Sequence, residues 1–155
     1  MRLLVTRVGD KRHTDTATAL GWASANEVFS VSDDHEVLKW NQAASEVTKA
    51  FSLPDDVYPT AMQWLPVTQA GKRVQSDQYA VASADGKFRL VSRTGRVEKT
   101  VEAHRGAVTD LRWSYDGSAL LTSGEDGQIK IWSRAGMLRS SLAQLPVPVL
   151  SLIHI

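Results

Sequence analysis

Two sets of four residues hold the side chains from which a catalytic relay could be assembled: His13, Ser30, Asp34 and Trp40, and then His104, Thr122, Asp126 and Trp132. A hydroxyl, an imidazole and a carboxylate are the parts of a Ser–His–Asp hydrolase, in which the imidazole draws the proton from the hydroxyl and the carboxylate orients the ring. The same types also suit a buried structural chain. The carboxylate, at a turn, accepts from the imidazole; the imidazole contacts the hydroxyl; the hydroxyl reaches the indole N–H, so the large ring can be buried without an orphaned donor. Repetition favours the structural chain. A reaction centre does not recur at one register in a second unit, and the sequence has no Gly-x-Ser-x-Gly nucleophile elbow.

A third copy of the register holds Asp55, Val81, Asp85 and Val91. Valine replaces both the hydroxyl and the indole, so donor and acceptor leave together, which need not be costly. This unit is expected to rely on apolar packing. Other chemistries find little support. His13, His35, His104 and His154 show no metal-ligand spacing, and the chain has no cysteine, so no thiolate metal site or disulfide scaffold is expected. Ser123-Gly124-Glu125-Asp126-Gly127 reads as a hairpin turn rather than a phosphate loop. No cofactor is expected. A net charge of +1 gives no bulk attraction to nucleic acid or anionic membrane. No apolar run approaches the ~20 residues a spanning helix needs, and residues 1–8 lack the form of a signal peptide. These features read as a cytosolic chain with no nucleic-acid partner and no membrane insertion.

The elements that must position these groups are strands. All five tryptophans fall on two positions of one repeating unit. Trp22, Trp64 and Trp113 open the units. His13, Asp55 and His104 stand nine residues before them, and Trp40, Val91 and Trp132 close six residues after Asp34, Asp85 and Asp126. In the third unit, Ala107–Trp113 reads as an innermost strand, Ser118–Ser123 as one buried on both faces, and Gln128–Trp132 as one with period two. Asp116-Gly117 and Asp126-Gly127 supply the turns, and Met137–Leu142 reads as a polar outer edge. A period in the forties, closed by Trp after an Asp turn, marks the WD-repeat β-propeller blade. The expected fold is all-β: an incomplete β-propeller of about three four-stranded WD-repeat blades, plus an orphan N-terminal strand and the start of a fourth blade.

Residues 1–155 are thus expected to form one partial propeller, with blades at about 17–52, 57–102 and 106–143. Residues 2–8 read as a ring-clasp strand, and residues 147–152 as the start of the next blade. Propellers typically have 4–8 blades, so a longer parent chain is expected, with residues 151–155 falling outside its pattern. In the second unit, residues 66–77 are inserted and read as an exposed loop. That loop, with Lys72 and Arg73, and the turn at Asp55 and Asp56 are the candidate partner-docking positions. Lys72, Arg73, Arg93, Arg96 and Lys99 give a mildly basic surface, more simply read as a solvated edge. An open arc would also expose apolar flanks on its end blades, predicting self-association of the chain alone.

Several segments resemble a particular branch of the WD-repeat family. Ser32–Asn41, Leu53–Pro59, residues 83–108 (SADGKFRLVSRTGRVEKTVEAHRGAV) and residues 123–144 (SGEDGQIKIWSRAGMLRSSLAQ) resemble the subunits of intraflagellar transport complex B that carry N-terminal propellers. The likeness runs from Met1 to about Val149 and includes residues outside the repeat motif. It implies a non-enzymatic protein-interaction scaffold in cilium assembly and ciliary transport, with other complex B subunits as partners. It also implies location in the cytoplasm, the cilium and its basal body. The second propeller and the helical self-association region of such subunits are absent from these 155 residues. The alternative is a WD-repeat adaptor of another assembly, such as a ubiquitin-ligase substrate receptor.

Overall fold

The computed structural model describes residues 11–69, 72–74 and 76–152; the clasp strand expected over residues 2–8 lies outside them. Every regular element among the described residues is a strand. The first sheet contains β1 (Ala17–Trp22), β2 (Glu27–Ser32), β3 (Glu36–Asn41) and β4 (Glu46–Ser52), paired in chain order. The second begins at β5 (Pro59–Trp64). A two-stranded hairpin, β6 (Val67–Gln69) and β7 (Lys72–Val74), then intervenes before β8 (Gln78–Ser83), β9 (Lys87–Ser92) and β10 (Val97–Glu102) complete the sheet. The third comprises β11 (Val108–Trp113), β12 (Ala119–Gly124), β13 (Gln128–Ser133) and β14 (Leu138–Gln144). All pairings are antiparallel, and no sheet closes on itself.

The blades repeat in detail. Each innermost strand is irregular at the same place, at Ala17/Ala19, Pro59/Ala61 and Val108/Asp110. A bulge there adds twist where each strand leaves its connecting turn. The residue after each turn aspartate is left-handed: His35 (φ 60), Gly86 (φ 80) and Gly127 (φ 74). Its carbonyl accepts from the N–H of Leu53, Ala103 or Leu145, fixing how the chain leaves each outer strand.

The core lies between sheets rather than within any one. Successive side chains on a strand face opposite flanks, so β8 divides its buried run between two neighbours. Tyr79 and Val81 join Met62, Trp64 and Val91 against Phe29, Val31 and Val37 of the first blade. Ala80 and Ala82 join Phe88 and Leu90 against Leu111, Trp113, Leu120 and Trp132 of the third. Phe29 meets Trp64 edge-on at 4.9 Å, and Phe88 meets Trp132 at 5.2 Å. Polar links stitch the seams. Arg93 pairs with Glu27 and lies 5.8 Å over the Phe29 ring, while the backbone N–H of Trp113 donates to Gln63 Oε1 at 2.5 Å.

One sequence expectation needs correction. The 66–77 insertion is not simply an exposed loop. It contains the β6–β7 hairpin, and Ser76 beyond it is buried, its hydroxyl satisfied by donating to Gln78 O at 2.9 Å. Residues 147–152 make no strand ladder, but they lie against β11 where the next blade would begin: Thr109 Oγ1 donates to Val149 O as Thr60 Oγ1 donates to Val108 O. Trp22 opens the first unit yet stands 56% exposed, since among the described residues no preceding blade covers it. Lys39, standing where the third blade has Ile131, is held by an ion pair to Glu27 at 3.3 Å.

Candidate functional site

The two tetrads sit where the turn after each second strand approaches the segment leading into the innermost strand. In the first blade, His13 Nδ1 lies 3.0 Å from Asp34 Oδ2, and its Nε2 lies 2.7 Å from Ser30 Oγ. Trp40 Nε1 donates to the same hydroxyl oxygen at 2.8 Å. The third blade repeats this: His104 Nδ1 to Asp126 Oδ1 at 2.9 Å, Nε2 to Thr122 Oγ1 at 2.8 Å, and Trp132 Nε1 to Thr122 Oγ1 at 2.8 Å. One pattern of donors satisfies every group: the indole donates to the hydroxyl, the hydroxyl donates to Nε2, and Nδ1–H donates to the carboxylate.

Each aspartate also ties down backbone. Asp34 accepts from Thr14 N at 2.8 Å and Glu36 N at 2.9 Å, and Asp126 accepts from Arg105 N and Gln128 N at 3.0 Å each. Burial alone would raise both carboxyl pKa values, but these N–H donors and the histidines outweigh it and hold them below the ordinary range. Burial pushes His104 below its ordinary value, against the pull of Asp126. The distances match those of a hydrolase relay, but access does not: Thr122 is fully buried and its hydroxyl oxygen is taken by the Trp132 indole.

The second blade, expected to rest on apolar packing, keeps a polar centre of another kind. Arg89 is buried; its Nη2 donates to Asp85 Oδ2 at 2.7 Å and its Nη1 to Ser83 Oγ at 2.6 Å. Ser83 Oγ in turn donates to Asp85 Oδ1. Burial would raise the Asp85 pKa, but Arg89 and Ser83 draw it down. The guanidinium thus supplies the charge-assisted donor that histidine supplies elsewhere, from the opposite side of the turn. Asp55, at the histidine register, is exposed instead. The available sequence signal was an arginine two residues before Val91, at the register of Leu38 and Lys130.

The candidate docking residues do not form one surface. Asp55 and Asp56 precede β5, and the hairpin bearing Lys72 and Arg73 follows it. Six residues of strand separate the two groups by roughly 20 Å. The side chains of Lys72 and Arg73 lie outside the described residues. Two members of the basic group are engaged: Arg93 in the first seam, and Lys99, whose Nζ donates to Ala135 O at 2.7 Å. Among the described residues no group of His, Asp or Glu could hold a metal ion, and no helix is long and apolar enough to cross a membrane.

Three four-stranded meanders stacked flank to flank, with a His–hydroxyl–Asp–Trp centre in two of them, define a WD-repeat β-propeller protein. The WD domain, G-beta repeat family matches residues 95–133. Over 152 residues, 97% of the chain, the sequence is 49% identical to the intraflagellar transport protein 80 homologs of Rattus norvegicus and of Mus musculus. The chain spans about a fifth of the length of these relatives, 20% in each case. Among solved structures, the computationally designed Ika4 protein superposes with a TM-score of 0.74, covering 98% of this chain and 88% of that one. At 21% identity it speaks for the fold alone.

Proposed function

We propose that the chain is the propeller part of a non-enzymatic scaffold that docks other subunits of intraflagellar transport complex B during cilium assembly and ciliary transport. It would act in the cytoplasm, the cilium and its basal body. The observation that carries this is the extent of the likeness, 49% identity across 97% of the chain rather than only at the repeat positions. The tetrads would serve as braces, since the Thr122 hydroxyl is sealed from any substrate. Partner contacts would fall on exposed turns and the β6–β7 hairpin, because loops held on rigid sheets present side chains without exposing the core.

A tagged chain expressed in ciliated cells tests this. Co-purification of complex B subunits and a ciliary signal are expected. Their absence, from a chain shown to be folded, would sink the proposal. Paired variants separate the two surfaces: Lys72→Ala with Arg73→Ala, and Asp55→Ala with Asp56→Ala. If both pairs leave every partner bound, neither surface is the docking site.

A further inference from the structure

The outermost strand of a sheet pairs on one side only, so its other edge presents a row of main-chain N–H and C=O groups to solvent. Among the described residues, β4, β10 and β14 each stand at such an edge. Exposure on this rim does not depend on a following blade. Strand β10 lies between two other blades, and every residue of it except Val101 is exposed, just as every residue of β14 except Ala143 is. Leu138 also shares the side of its cross-strand partner Trp132, and that side faces Phe88 of the second blade.

The three edges differ in what guards them. Proteins blunt an edge with charge, lysine above all. Strand β4 reads Glu-Val-Thr-Lys-Ala-Phe-Ser and β10 reads Val-Glu-Lys-Thr-Val-Glu, each mixing acid with lysine. Strand β14 reads Leu-Arg-Ser-Ser-Leu-Ala-Gln, with no lysine and no acid. Its Leu138 and Leu142 are 56% and 58% exposed, and Met137 just before it is 63% exposed. On β10 only Val97 compares, at 39%, and β4 offers no large exposed apolar side chain. From residue 134 to residue 145 the only charged side chains are Arg134 and Arg139. Irregular pairing bends β14 against β13, but β4 and β10 are bent too, so bending does not explain why β14 alone goes without an acid–lysine guard.

We propose that β14 is a docking edge for an extended, acidic and apolar segment of another protein, which joins the third blade as an added outer strand. Main-chain hydrogen bonds along the ~20 Å of a seven-residue strand supply the hold. Leu138 and Leu142 give the segment's apolar residues a surface, and Arg134 and Arg139 give its carboxylates a partner. Charge also selects against a second copy of this chain, since two β14 edges would set two arginine-bearing, acid-free strands side by side. The edge points away from the innermost strands, so neighbouring blades leave it open. It lies apart from the β6–β7 hairpin and the turn at Asp55 and Asp56, and it needs nothing from the ciliary role.

NMR titration of the isotope-labelled 155-residue chain with a synthetic peptide that alternates valine and glutamate tests the edge. The amide signals of Leu138–Gln144 should shift together, and those of β4 and β10 should stay. Exchanging the peptide's glutamates for lysines should weaken binding ~10-fold or more, as should Arg139→Glu, and the two changes combined should restore it. Leu142→Asp should cost ~10-fold as well, whereas Val97→Asp on β10 should cost nothing. N-methylating alternate peptide amides should abolish binding for one set of positions and spare it for the other, because only one edge of an added strand pairs. These changes to the peptide need no protein variant, so a substitution that unfolds the chain leaves the test standing. The proposal is overturned if no shift appears at Leu138–Gln144 or if shifts are confined to β1 or to β12–β13. Binding indifferent to peptide charge, or equal loss from both N-methylated sets, overturns it too. So does a dimer of the chain alone that shields the same amides, which would make a second copy the occupant.

Discussion

Thr122 serves two partners with one oxygen, accepting from Trp132 and donating to His104. Thr122→Val strips both partners at once and leaves a buried indole N–H without an acceptor. Urea unfolding should show a loss of about 1–3 kcal/mol, largely recovered in Thr122→Ser. Arg89→Met leaves Asp85 and Ser83 facing each other with no cation, and should cost roughly 3 kcal/mol in the same measurement. Arg89→Lys should recover only part, because an ammonium cannot fork to both oxygens. The pH dependence follows from His104, whose folded pKa lies below its ordinary 6.5 because burial favours the neutral ring. A depressed histidine contributes stability that is fully present above 6.5 and is lost as pH falls from there through the folded value. The urea midpoint should therefore drop on acidification below about pH 6.5, and drop less in His104→Gln. Asp126, also depressed, contributes a further loss at lower pH, below its ordinary 3.8. The two tetrads were legible in the sequence because their residue types recur at matched spacings. Arg89 was not. Its register holds Leu38 in one blade and Lys130 in another, so no repeat pattern singles it out, and only the folded turn brings it to Asp85.

Blades were legible as elements wherever burial stamped a period on the chain. Strand β12 reads as a run of small and apolar residues because its alternate side chains serve two flanks; β14 reads as polar because it is an outer edge. The β6–β7 hairpin left no such mark, since two three-residue strands are too short for alternation to stand out from a polar loop. Residues 147–152 take the place of a next blade's first strand against β11 without forming a ladder. Their apolar run resembles a strand, but a ladder also needs a partner, which a pattern of side chains does not reveal. Gly124 shows how element geometry restricts a residue with ordinary backbone angles. A Cβ there would lie 2.5 Å from His104 Cγ and 2.6 Å from Nδ1. Gly124→Ala should push the ring off Asp126 and cost about 1–3 kcal/mol, as overpacking does. The NMR signal of the Nδ1 proton, sharp in the parent chain, should broaden or vanish in the variant.

At the scale of the molecule, stability resides in the seams, so damage should spread by neighbour rather than by distance. Trp64 touches Phe29 and Tyr79 and lies 3.2 Å from where a Cβ on Gly21 would stand. Trp64→Ala should cost about 3–5 kcal/mol. In hydrogen exchange, β1–β4 should lose protection first while β11–β13 retain it. The clamp of Thr109, Asp110 and Arg112 on residues 149–152 carries a consequence for synthesis. A chain leaving the ribosome presents its blades in order, and a finished blade already holds a seat cut to the register of the strand that emerges next. Each blade is the jig on which its successor is set. The ring can then be assembled as masons build an arch from one springing, every stone bedded before the following one arrives, with no need for the whole circle to find itself at once.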